Sequence, residues 1–343
     1  MWAALLLLAS SACSATSFAS ENSYGAFGPE GARLREQLWV LPGGDPKFPL
    51  RATVFRPDDQ LAEPASLSSS NHSAGVRRPL VVINHGTSDL TREAVSLPVY
   101  YWLSRWFVER GYVVMLPQRR GHGATGGPLA EAIGNCADPD HYRSGLIAAE
   151  DIAASVEYMA KQPFIDPNDV VVVGISTGGW ASLALASRQP SVARAVINIA
   201  GGRGGHAGGQ ANEVCGASRL VQAASAYGST ARIPTLWLYS KNDSYFGPQL
   251  AQAMASAWTG SGGNVDLEVL PPYRDDGHKI ADDRAGWNLW GPIVDRFLNT
   301  TVEAPQTASA SPAQVSDGPS SGLETGALPP VIRASGSPSE ARH

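Results

Sequence analysis

Residues 169–180, Asp-Val-Val-Val-Val-Gly-Ile-Ser-Thr-Gly-Gly-Trp, constrain this chain more than any other stretch. Four consecutive valines are stiff at χ1, and a run that is apolar on both faces reads as a strand covered on both sides of a sheet. The segment after Gly179, Trp-Ala-Ser-Leu-Ala-Leu-Ala-Ser-Arg, is dense in Ala and Leu and reads as a helix. Only Gly174-Ile175-Ser176-Thr177-Gly178-Gly179 lies between them, so strand must pass into helix through a sharp turn. A buried strand feeding a covering helix is the repeating unit of α/β proteins.

The same alternation recurs along the chain. Apolar runs predict strands at 36–41, 49–55, 80–84, 112–116, 195–200, 234–239 and 265–270. Val99, Trp102, Leu103, Trp106 and Phe107 recur at helical spacing ahead of Gly111, a suitable helix stop. Leu146, Ala149, Ile152, Val156 and Met159 mark a second helix, and further helices are expected at 180–187, 248–258 and 287–298. The Ser-, Ala- and Pro-rich stretch 57–79 reads as a surface loop, and 201–232 leaves room for a small cap. The expected class is α/β, with a mostly parallel central sheet and helices on both faces.

Composition divides the 343 residues into three parts. Trp2–Ala9 is a short apolar run followed by small residues, with Ser17-Phe18-Ala19 as a cleavage site, so residues 1–19 read as a signal peptide and the protein as exported. Lipid attachment at Cys13 is the lesser alternative, because Ser10-Ser11-Ala12 lacks the usual aliphatic residue. Residues 20–302 hold the folded domain. From 303 to 343 the chain is mainly Pro, Ser, Ala and Gly, too poor in apolar residues to offset its ordering entropy, and is expected to be disordered. The net charge of −5 argues against a nucleic-acid partner, and no apolar run reaches the length of a membrane span.

With the leader removed, Cys136 and Cys215 remain, and two cysteines in an exported protein invite one disulfide. Two isolated cysteines are a poor zinc signature, and the loop Gly-Gly-Arg-Gly-Gly-His-Ala-Gly-Gly around His206 lacks the Lys-Ser/Thr ending of a phosphate cradle. No metal or organic cofactor is implied.

Gly174-x-Ser176-x-Gly178 on a strand-to-helix turn lifts the serine hydroxyl above the sheet, beside the free N–H groups of a helix start. Together with Asn84-His85-Gly86-Thr87 after an early strand, this elbow resembles the α/β-hydrolase superfamily, and within it the dienelactone-hydrolase-like and prolyl-oligopeptidase-like serine hydrolases, over roughly residues 36–300. The resemblance implies a Ser, acid, His order. Asp243, following the strand at 234–239, then holds His278, which serves as general base to the nucleophile Ser176. Asp276 is a rival acid only two residues from His278. By position, the backbone N–H groups of Thr87 and Thr177 form the oxyanion hole. The expected reaction is hydrolysis of a small-molecule carboxylic ester through an acyl-enzyme. A serine peptidase or amidase is the alternative, and a non-catalytic binding protein on the same fold the third reading.

Several neighbours carry expectations of their own. Arg119 and Arg120 face the same rim, where an arginine either meets a substrate carboxylate or pairs internally with Asp or Glu. Trp180 is expected in the core, His85 as a structural residue of its turn, His141 at an exposed helix start, and His206 at the pocket mouth.

Overall fold

The computed structural model describes residues 24–58, 77–87, 97 and 100–303. The expected signal peptide, the C-terminal tail and most of the polar loop before residue 77 lie outside the described residues.

In chain order the strands are β1 (Gly25–Phe27), β2 (Gln37–Leu41), β3 (Leu50–Phe55), β4 (Arg78–Asn84), β5 (Val113–Gln118), β6 (Ile165–Ile175), β7 (Ala195–Ile199), β8 (Thr235–Ser240) and β9 (Val265–Leu270). The helices are α1 (Tyr101–Val108), α2 (His141–Met159), α3 (Thr177–Ala186), α4 (Ala217–Gly228), α5 (Pro248–Gly260) and α6 (Trp287–Glu303). All the strands join one sheet in the order β1-β2-β3-β5-β4-β6-β7-β8-β9. From β5 to β9 every neighbouring pair is parallel, while β1, β2 and β3 add an antiparallel edge.

The valine run explains how the layers separate. Side chains alternate across a strand, so Val171 and Val173 join Val81, Ile83, Ile197 and Leu236 beneath α1 and α6, with Trp106, Phe107, Trp290 and Val294. Val170 and Val172 point the other way, onto Trp180, Ile152, Tyr227 and Trp258 of α2 to α5. Helices thus cover both faces, as the sequence predicts. Helix α3 is buried from Gly178 to Ala186, which is why it is apolar all round rather than amphipathic.

Chain order fixes where a ligand can reach the sheet. From β4 the chain crosses to β5 on one side, then returns to place β6 on the other side of β4. The carboxyl ends of β4 and β6 therefore flank the point at which the winding reverses, where open α/β sheets leave a crevice. Asn84 and Gly174 pair across those ends.

Some elements differ from expectation. β6 begins at Ile165, because Ile165 pairs with Arg78 ahead of a register shift. Helix α4 is no cap: Leu220, Ala223, Ala224 and Tyr227 are buried in the layer of α2, α3 and α5. β1 is a short edge strand that the sequence pattern does not announce. Among the described residues no helix is long and apolar enough to cross a membrane.

Ile197 is fully buried at the middle of β7. Its replacement by alanine should cost about 2–5 kcal/mol, read as a lower urea midpoint with an unchanged slope.

Candidate active site

Ser176 sits at the turn between β6 and α3 with φ 55° and ψ −123°, a backbone conformation that non-glycine residues rarely adopt. The turn is held by hydrogen bonds from Ser176 N to Ile199 O (3.0 Å) and from Trp180 N to Ser176 O (3.0 Å). Both motif glycines are demanded by close approach. A Cβ on Gly174 would lie 2.2 Å from Gly178 O, and one on Gly178 would lie 2.2 Å from Asn84 O. The backbone of the elbow thus packs directly against the end of β4, and no side chain fits between them.

Asp243 follows β8 and is buried. Its Oδ1 accepts N–H bonds from Tyr245 (2.8 Å) and Phe246 (2.9 Å). Against this anchored carboxylate lies the ring of His278, whose Nδ1 is 3.1 Å from Oδ1 and 3.2 Å from Oδ2. Tyr245 stacks on the same ring with centroids 4.2 Å apart and planes inclined by 26°. On the far face of Tyr245 the His206 ring stacks at 3.6 Å, and His206 Nε2 is 2.9 Å from Ser244 Oγ.

Asp276, the rival acid, serves the backbone. Its Oδ1 accepts from His278 N (3.0 Å) and Ser244 N (3.1 Å), and its Oδ2 from Ser244 Oγ (2.8 Å). Burial pushes its pKa up, but those donors more than offset this and hold the carboxyl below its ordinary value. The structure therefore brings Asp243 and His278 together through the imidazole, with Asp276 fixing the loop that carries it. Among the described residues no hydrogen bond joins Ser176 Oγ to His278; in sites without substrate such bonds are commonly long.

Behind the elbow lies a charged cluster, of which the sequence reading anticipates only that an arginine at 119 or 120 can pair internally with an acid. Arg119 and Glu131 are both buried and pair through Nε–Oε2 at 2.7 Å and Nη2–Oε1 at 3.3 Å. Arg119 Nη1 also donates to His85 O (2.8 Å), and its Nη2 reaches Thr177 Oγ1 (3.4 Å). Thr177 Oγ1 donates to Thr87 Oγ1 (2.9 Å), which lies 3.1 Å from Glu131 Oε1 and 2.9 Å from His122 Nε2. Arg203 adds a second guanidinium, donating to Glu131 Oε1 (3.2 Å) and to Glu131 O (2.8 Å). Thr87 and Thr177, whose backbone N–H groups are the expected oxyanion donors, are thus linked side chain to side chain and tied to Arg119.

Protonation in the cluster follows from burial and charge. Burial pushes the Glu131 pKa up, but Arg119 and then Arg203 overcome it and hold the carboxyl far below its ordinary range. Desolvation, then Arg119 and His122, keep His85 neutral. Its Nδ1–H faces Gly86 O (2.7 Å), leaving Nε2 to accept from Arg119 N (3.1 Å), which fixes the tautomer. Burial and Arg119 also lower the pKa of His122.

The expectations divide accordingly. Arg119 pairs internally, and Arg120 lies 2.8 Å from Asp151 Oδ1, so neither is offered to substrate. Trp180 is core, its Nε1 donating to His141 O (2.9 Å). His141 does begin α2, but it is buried rather than exposed, because its Nε2 lies 2.7 Å from Cys215 O. Cys136 and Cys215 form a disulfide with Cα atoms 4.7 Å apart, stapling the loop after β5 to the loop after β7. Both cysteines line a pocket of about 250 Å³ that also contains Ser176, Thr87, Thr177 and Arg203. Among the described residues no group of three or more His, Cys, Asp or Glu side chains is gathered to hold a metal.

This sheet, its reversal point and the helices on both faces make up the α/β-hydrolase fold, with the serine elbow at the reversal point. The model of the prolyl oligopeptidase family matches residues 98–202, a stretch that contains the elbow. The chain is 34% identical over 90 residues to dipeptidyl-peptidase 5 of Porphyromonas endodontalis, a match that takes in 26% of this chain and 12% of that protein. Porphyromonas gingivalis dipeptidyl peptidase 4 superposes with a TM-score of 0.55 at 16% identity, over 78% of this chain and 35% of the other. Acetyl xylan esterase from Paenibacillus sp. R4 superposes with a TM-score of 0.50 at 13% identity, over 81% and 88%. The chain thus spans a minor part of the peptidases it matches and most of the length of the esterase.

Glu131→Gln leaves two guanidinium groups without their shared counter-charge and should lower stability by about 3–5 kcal/mol at neutral pH. A carboxyl with a depressed folded pKa contributes stability above its unfolded value and loses it as pH falls. The gap between wild type and Glu131→Gln should therefore be full at pH 7 and shrink below about pH 4.5, as measured by denaturant unfolding across pH.

Proposed function

We propose that this protein cleaves a peptide or amide bond through an acyl-enzyme on Ser176. The observation that carries the reading is the Asp243–His278 pair, with the ring nitrogen seated on an anchored carboxylate at the same sheet edge as the serine elbow. In the proposed cycle His278 takes the Ser176 proton as Oγ attacks the scissile carbonyl. The N–H groups of Thr87 and Thr177 receive the oxyanion, and His278 returns the proton to the departing amine. Water, deprotonated by His278, then attacks the acyl-enzyme, and the carboxylic acid leaves as Ser176 recovers its proton.

The family match and the dipeptidyl-peptidase likeness favour a peptide over an ester. Ester hydrolysis is the second reading, favoured by the near-complete coverage of the acetyl xylan esterase, and it uses the same intermediate. We place the protein outside the cytoplasm, a reading supported by the Cys136–Cys215 disulfide and the apolar leader sequence.

A fluorophosphonate should label Ser176 in the wild type and fail on Ser176→Ala, whose circular dichroism stays unchanged. Asp243→Asn should lower kcat on a peptide anilide by about 10⁴-fold. Turnover of anilides supports the first reading, and turnover of 4-nitrophenyl esters alone supports the second. A wild type that is neither labelled nor active on either class would overturn both.

A further inference from the structure

The pocket beside Ser176 has an unbalanced charge. Its walls come from the loops after β4, β5 and β7 and from Tyr245 and Phe246, and Arg203 is the one ionised side chain among its described lining residues. Among the described residues no aspartate or glutamate lines it. Glu131 stands behind the wall and is committed to Arg119, which engages both of its carboxylate oxygens. Arg203 shares that carboxylate through Nη1 and takes the Glu131 carbonyl through Nη2. Two guanidiniums against one carboxylate leave one positive charge uncompensated, and the histidines within the cluster, His85 and His122, are neutral. Asp138 and Asp140 line a neighbouring groove, where Arg219 pairs with Asp138 and Arg143 lies 3.9 Å from Asp140.

The guanidinium is also held ready. Its two bonds to Glu131 use only part of a planar five-donor fork, and its side chain is 13% exposed, opening on the pocket. An arginine fixed from behind loses little entropy when it meets an anion, and a partly desolvated charge is screened less than one in water. The opposite ligand fares badly. An ammonium group would enter beside a positive charge with no carboxylate in the described lining to receive it.

We propose that this pocket selects substrates carrying a carboxylate close to the scissile carbonyl, held by Arg203, and disfavours substrates with a free amino group there. The proposal rests on Ser176 acting as the nucleophile and assigns the substrate class of that same site.

The experiment uses the full chain and three activated esters of similar length, which a peptidase or an esterase acylates alike: mono-4-nitrophenyl adipate, its methyl ester, and 4-nitrophenyl 6-(trimethylammonio)hexanoate. Wild type should favour the adipate over its methyl ester by about tenfold or more in kcat/KM, with the quaternary ammonium ester slowest, the advantage shrinking as salt is added. In Arg203→Gln the anionic-to-neutral ratio should fall toward one. Equal rates on all three esters, or a preference for the cation, in a wild type that a fluorophosphonate labels would overturn the proposal while leaving the nucleophile in place. Absence of both labelling and turnover would instead overturn the reading on which it rests. The wild-type comparison decides the matter even if Arg203→Gln does not fold.

Discussion

The ion pair between Arg119 and Glu131 is the interaction on which the rest of the site depends. Both side chains are buried, and each is spent on more than the other. Arg119 fixes the loop after β4 through His85 O and reaches the start of α3 through Thr177 Oγ1. Glu131, from the loop after β5, takes Arg203 from the loop after β7 and stands within reach of the Thr87 hydroxyl. Four segments far apart in sequence meet at one carboxylate and one guanidinium. A buried pair of this kind contributes little net stability compared with apolar residues of the same size. Its effect here is geometric, because loops that would otherwise move independently share hydrogen bonds to two rigid groups.

The elbow supplies the complementary constraint, made by packing rather than charge. β4 and β6 lie side by side at the reversal of the sheet, and the backbone of Gly178 touches the last carbonyls of β4. That contact puts the first turn of α3 against the His85-Gly86-Thr87 segment, which is why Thr87 and Thr177 can share a hydrogen bond. The disulfide closes the arrangement from the outer side. It joins the loop that carries Glu131 to the loop that carries Arg203, so the covalent link and the ion pairs restrain the same two segments.

What was legible in the sequence was whatever rests on periodicity or on local turn chemistry. Four valines, an Ala- and Leu-rich helix and two close-packed glycines announce β6, α3 and the turn between them without reference to any partner. Helix α4 escaped because Ala-Ser-Arg-Leu-Val-Gln-Ala-Ala-Ser-Ala-Tyr-Gly has small residues where a stripe of large ones is expected; it is helical because Leu220, Ala223 and Tyr227 find a tight place in the layer. Glu131 escaped for a different reason. A single glutamate in Leu-Ala-Glu-Ala-Ile carries no pattern, and its burial is decided by arginines at positions 119 and 203 that only the fold brings together. Arg119 was half visible: its place at the end of β5 put it on the rim, but only tertiary contacts decide that it turns inward. His141 shows the same limit, since the Cys215 carbonyl that accommodates its ring lies 74 residues away.

The charge of the cluster bears on the chemistry as well as on the architecture. An acyl-transfer site must stabilise negative charge that appears on the carbonyl oxygen only during reaction, and fixed dipoles do this best when they need not reorganise. The start of α3 brings unpaired N–H groups and the positive end of a helix dipole to Ser176. Beneath it, Arg119 and Arg203 exceed Glu131 by one charge, and the neutral histidines do not offset that excess. Had Glu131 faced two arginines in water, solvent would have screened the imbalance; buried, it persists as a field on the pocket floor. The same field that suits a developing oxyanion also suits a substrate arriving with a negative charge. Arg119 faces inward and holds the loops, whereas Arg203 stands on the wall. On the proposed reading, the pair divides one electrostatic function between a residue that shapes the site and one that meets what enters it.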